Sequence, residues 1–191
     1  MASTPSRSSA RPTKKKAAAT RRAPAKKAAT TASRKKPRPK KPAGSPATRA
    51  LTKKIGALIL AASAGSTKKE AATALGLRDY DIKNLMAGNQ ASLAMVIRLV
   101  TGGRFAPRPL LEGRALQKLP ASASTKGVQQ RFISARVRQA ASLKSAPALA
   151  EETGLTVPGI YQLRAGKPAG LQTVLAFMLA GVSVDALFFG D

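Results

Sequence analysis

Beyond residue 50 the apolar positions recur at helical spacing. Leu51, Ile55, Leu58, Ile59 and Ala62 fall on one stripe of a first helix. "STKKE" follows, with Thr67 placed to cap a second helix and Glu70 three residues on to complete a capping box. Ala72 is small where two helices must cross closely. Gly76 ends that helix, since a residue without Cβ enters the left-handed turn at little cost. Ile82 and Leu85 mark the buried face of a third helix, closed by Gly88. "SLAMVIRLV" and "RPLLEG" predict a fourth helix and a short fifth.

The same pattern then comes round again. Shifting the chain by 78 residues lays Ala72, Gly76, Leu77, Ile82, Leu85, Gly88, Leu93, Val96 and Gly103 on identical residues. The second set of roles falls to Ala150, Gly154, Ile160, Leu163, Gly166 and Leu171. The boundaries expected are a first copy over 49–113, a linker over 114–126 and a second copy over 127–191. The linker, "RALQKLPASASTK", reads as too short and polar to fix how the copies sit together. "FMLAGVSVDALFFG" near the C-terminus reads as core in preference to an interface.

A small residue, then Gly at +4, Ile at +10 and Leu at +13, occurs in both copies. This pattern resembles the helix-turn-helix of the Cro and lambda-repressor family, over nearly all of 51–113 and 128–190. The alternative is an unrelated helical bundle. The resemblance implies an all-α fold of two tandem repressor-like bundles, about five short helices each. In that family the second helix of the motif enters the major groove and its first residues touch base edges. By position this implies Arg78, Asp79, Tyr80, Lys83 and Asn84 in the first copy. In the second it implies Thr156, Val157, Pro158, Tyr161 and Gln162. Thr67 and Ser145, each opening the preceding helix, would clamp phosphates, with Lys68, Lys69, Arg131, Arg138, Arg164 and Lys167 adding charge. Asp79 and Asp81 fit poorly in such a set. Either would accept from a cytosine amino group but repel phosphate.

Charge changes the picture at the other end. Residues 1–54 hold 18 of the 34 Lys and Arg and none of the eight acids, and the formal net charge is +26. Before Leu51 there is no large apolar side chain except Met1, so residues 1–48 are expected to be a disordered cationic tail. Its composition resembles linker-histone tails and bacterial histone-like Lys-Ala-Pro repeats. Such tails hold DNA by counterion release, with little regard to base order. The residues implied are Lys14, Lys15, Lys16, Arg21, Arg22, Lys26, Lys27, Arg34, Lys35, Lys36, Arg38, Lys40 and Lys41. "KKPRPKKP" faintly resembles the minor-groove AT-hook, without its glycine. A solvated tail and an organelle transit peptide are the lesser alternatives.

Cys, His and Trp are absent, which removes disulfides, thiolate or imidazole metal sites and Cys/His or Ser/His catalysis. Adjacent Glu151 and Glu152 point about 100° apart on a helix and cannot flank one bond. Neither an enzyme nor a cofactor is expected, and no membrane span or small-molecule substrate. The partner expected is double-stranded DNA, with RNA as the alternative polyanion, in a nucleoid of bacterial or phage type within the cytoplasm. The competing expectation is that the helical copies are modules for self-association or for a protein partner, tethered to nucleic acid by the tail.

Overall fold

The computed structural model describes residues 45–190, and within them the chain is entirely helical, with ten α-helices and no strand. The first five are α1 (Pro46–Ala62), α2 (Lys68–Leu75), α3 (Asp79–Met86), α4 (Leu93–Thr101) and α5 (Pro107–Leu111). The second five are α6 (Gln130–Ser142), α7 (Ala146–Thr153), α8 (Val157–Arg164), α9 (Leu171–Leu179) and α10 (Val184–Phe188). Lengths run 17, 8, 8, 9 and 5 residues, then 13, 8, 8, 9 and 5. The periodicity of 78 residues is therefore also a periodicity of elements.

Residues 1–44 lie outside the described part, and so does nearly all of the expected tail. Its last few residues are corrected. Ser45 accepts the Thr48 amide at 3.3 Å and Pro46 occupies the first helical position, so α1 starts before residue 49. Proline interrupts a helix interior, but at this position its missing N–H has no partner to lose. The Thr48 and Thr52 side chains are buried and donate to the Ser45 and Thr48 carbonyls.

The two halves share one core. α1 packs on α9, α6 packs on α4, and α5 packs on α10. Each pairing takes one helix from either half, in an exchange pattern like that of a symmetric dimer made within one chain. Ile55, Ile59, Leu99, Leu110 and Leu111 are sealed together with Ile133, Val137, Leu175, Phe177 and Phe188. The C-terminal segment is thus core. The expectation of a linker that leaves the halves unfixed is overturned, because the shared core fixes them and the linker follows.

The linker is itself held down. The Ala106 amide donates to the Gln117 carbonyl and the Leu119 amide to the Arg104 carbonyl, each at 2.7 Å. The Lys118 ammonium donates to the Gly103 carbonyl at 2.6 Å and lies 3.9 Å from the centre of the Phe105 ring. Arg104 takes a left-handed backbone, φ 53°, and its guanidinium reaches the carbonyls of Pro120, Ala121 and Ala123 at 3.0–3.1 Å. A polar sequence is bound here through its own backbone, which hydropathy does not register.

Two glycines in equivalent places face different neighbours. A Cβ on Gly76 (φ 66°) would lie 2.2 Å from the Gly103 nitrogen, where the α2–α3 turn meets the end of α4. On Gly154 (φ 65°) it would lie 3.3 Å from the Cβ of Ser45. Gly76→Ala is therefore expected to cost about 3 kcal/mol or more, from left-handed strain plus forced backbone movement. Gly154→Ala should cost about 1–2 kcal/mol, mostly from left-handed strain, with a small adjustment at Ser45. Urea denaturation of the two variants checks this order, and equal losses would contradict the packing described.

Candidate nucleic-acid interface

Each half contains two eight-residue helices joined through a left-handed glycine, α2–Gly76–α3 and α7–Gly154–α8. Local chemistry sets these joints. The Thr67 hydroxyl accepts the Glu70 amide at 3.3 Å and the Glu70 carboxylate accepts the Thr67 amide at 2.9 Å, the expected capping box. Ser145 and Thr156 cap α7 and α8 with their hydroxyls, accepting from Ala148 and Gly159. Leu75, Ile82 and Leu85 bury one side of the first pair, and Leu149, Ile160 and Leu163 that of the second.

The opposite side carries the residues singled out by sequence. Thr67, Lys68 and Lys69 are exposed at the start of α2, and Arg78, Asp79, Tyr80 and Lys83 are exposed along α3, with Asn84 half-buried. In the second half Arg131, Arg138, Ser145, Thr156, Pro158, Tyr161, Gln162 and Lys167 are exposed, and Val157 is half-buried. Lys167 donates to the Gln162 side chain at 2.7 Å. The guanidinium of Arg138 lies beside Gly166, 3.2 Å from where a Cβ would stand. The tail cations Lys14 to Lys41 lie outside the described residues.

Two of these residues are occupied elsewhere. Asp81 is 6% exposed, and its carboxylate accepts Arg98 at 2.6 Å and the Arg78 amide at 3.2 Å. It closes the start of α3 against α4 and does not face outward to meet a base. Arg164 donates to the carbonyls of Ala141 and Lys144, so its charge is spent on the end of α6. Its ring neighbour is Tyr161, 5.9 Å away.

Arg98 escaped the sequence reading. The signal for it was available, because the residues 78 positions on from Asp81 and Arg98 are Gly159 and Ala176. Both members of the pair vanish together, as the partners of one buried contact should. Arg136 escaped likewise. It donates to the carbonyls of Leu187, Phe188 and Phe189 and closes the last turn of the chain.

The halves also differ beside the motif. A cleft of about 690 Å³ opens in the first half between the end of α1, α2 and α3, walled by Leu60, Ala71, Ile82 and the exposed Met86. The positions 78 residues on from Leu60, Ala71 and Met86 hold Arg138, Leu149 and Arg164. Each of these side chains is larger than its counterpart, and Arg164 bridges to α6.

Comparisons with protein families, with curated proteins and with solved structures find no match to this chain.

Arg98→Ala is expected to cost about 3 kcal/mol, since it strands a buried carboxylate. Adding Asp81→Ala should recover about half of that loss, because the second change removes the stranded charge. A double-mutant cycle by urea denaturation checks the coupling, and strictly additive losses would contradict it. A pH effect follows from Glu70. Its carboxyl is held below the usual carboxylate range by the Thr67 backbone hydrogen bond first and the Thr67 side chain second. A depressed carboxylate contributes its capping above its unfolded pKa of about 4.3 and loses it as pH falls through the lower folded value. In an NMR titration the Thr67 amide should shift in that acid window, and Glu70→Gln should abolish the shift.

Proposed function

We propose that this chain is a DNA-binding protein, either a nucleoid-organising factor or a transcriptional regulator of bacterial or phage type. The observation that carries the reading is the segregation of charge. Ahead of Ser45 there are 15 Lys and Arg and no acid, joined to a unit that folds by burying its own apolar surface. A block of that kind is neutralised most effectively by a polyanion, and DNA offers one negative charge per about 1.7 Å of duplex. α2–Gly76–α3 and α7–Gly154–α8 are read as repressor-like helix-turn-helix motifs in tandem, supported by their equal lengths and capped starts. In this reading the tail supplies sequence-tolerant affinity, and the folded unit sets how the complex sits.

One observation favours a second role for the first half. Its open cleft with the exposed Met86, beside an α3 that presents Asp79, suits a protein partner better than a phosphate backbone.

The test is the salt dependence of duplex binding. If about half of the 15 cations ahead of Ser45 engage phosphates, deleting residues 1–44 should reduce the slope of log affinity against log salt by about 7. The deletion stops before Ser45 so that the cap of α1 survives. Fluorescence anisotropy with a random-sequence duplex measures it. An unchanged slope would remove the tail from the binding surface, and loss of helicity on deletion would void its use as a tether.

A further inference from the structure

Arg164 makes, in the second half, a contact that the first half leaves open. Its guanidinium donates to the Ala141 carbonyl through Nε at 2.9 Å and through Nη2 at 2.7 Å, and also to the Lys144 carbonyl. These bonds tie the end of α8 to the end of α6. The residues 78 positions back from Arg164, Ala141 and Lys144 are Met86, Ser63 and Ser66. Met86 has no hydrogen to donate and is 59% exposed. Among the described residues, no amide or side chain donates to the Ser63 or Ser66 carbonyl. Both serines line the cleft of about 690 Å³.

The chemistry of that cleft selects its occupant. Carbonyls at the end of a helix carry partial negative charge and lack intrahelical partners, and Ser63 caps the end of α1. A guanidinium suits them, because it presents five N–H donors in a rigid plane and is more weakly hydrated than an ammonium. Leu60, Ala71, Ile82 and Met86 supply an apolar wall for the stem behind it. The unbranched Met86 adapts its shape to what it touches. Lys68 also lines the cleft and would repel an isolated cation. A carboxylate carried close to the guanidinium answers that charge. Glu70 nearby already holds the Thr67 amide.

We propose that the first-half cleft is a docking site for an arginine side chain of a protein partner, with an acidic residue of the same partner segment beside Lys68. The guanidinium takes the Ser63 and Ser66 carbonyls as Arg164 takes those of Ala141 and Lys144, and its stem lies on the apolar wall. The occupant of the second half is itself an arginine borne by a chain. The first-half cleft is larger than one such side chain fills, which leaves room for flanking residues. The second half offers no equivalent site, because Arg164 already holds its carbonyls. This inference rests on the partner reading of the first half given above and is independent of DNA binding.

The probe is arginine capped as in a peptide, N-acetyl-L-arginine methylamide, titrated into the full isotope-labelled chain at physiological salt and followed by NMR. The Met86 methyl and the backbone amides from Ser63 to Lys68 should shift, with a Kd on the order of 1 mM for a ligand of this size. Citrulline capped in the same way keeps the shape and loses the charge, and it should bind about tenfold more weakly. A second peptide probe, acetyl-glutamyl-arginine amide, should bind about threefold more tightly than capped arginine, and Lys68→Gln should remove that gain. Met86→Arg copies the arrangement of the second half into the first. It should raise the urea midpoint by about 0.5 M and abolish the shifts caused by capped arginine.

Absence of shifts at these groups, shifts that persist in Met86→Arg, or an unchanged or lower midpoint for that variant would each overturn the guanidinium site. Equal binding of capped citrulline would overturn it too, while leaving a partner at the cleft. A glutamyl probe without advantage, or one whose gain survives Lys68→Gln, would overturn the role given to Lys68. Free L-arginine binding more tightly than both peptide probes would put a small molecule in place of the protein and overturn the partner reading itself.

Discussion

Helices of five to nine residues are not stable alone in water, and eight of the ten helices here fall in that range. They persist because the two longer helices anchor them: α1 packs on α9 of the opposite half and on α3 and α5, and α6 packs on α8 and α10 of its own half and on α4 of the other. Ile55 and Ile59 from one, with Ile133 and Val137 from the other, are wholly excluded from solvent. Everything else described depends on that mutual burial. The caps at Thr67, Ser145 and Thr156 choose where short helices begin, but they act on segments already held by the core.

Mutual burial also explains how the polar parts are arranged. Once two halves are docked, carbonyls at helix ends and in the connecting segment are left without partners unless side chains reach them. Arginine supplies the donors repeatedly. Arg104 holds the linker, Arg136 closes the end of α10 and Arg164 closes the end of α6. A high arginine content is therefore not by itself a measure of charge offered to a partner. Among residues 45–190, these three, Arg98 and Lys118 all make contacts that hold the fold together.

Much of this was legible in the chain. The repeat, the all-helical class, the capping box at Thr67 and the glycine joints at 76 and 154 follow from spacing and from backbone rules that need no tertiary knowledge. The start of α1 was missed because residues 45–50 carry no large apolar side chain to mark a helix, although Pro46 suits a first turn. The docking of the halves was missed because a polar linker says nothing about surfaces far from it in sequence. Asp81 was misplaced for a similar reason, since a helix start exposes some carboxylates and buries others. Only its partner on α4, 17 residues away, decides which. For the candidate interface, sequence supplied the residue types. Which of them stay free is a property of packing.

The pairing of α5 with α10 has a consequence for how such a protein can change. In an assembly of two identical chains every substitution is made twice, so a change that suits one side of the axis is imposed on the other. Covalent joining lifts that restriction. One side can gain a buried ion pair, Asp81 with Arg98, where its counterpart keeps Gly159 and Ala176, and neither needs to be tolerated by the other. The chain keeps contacts between corresponding helices of its two halves while each half is free to specialise.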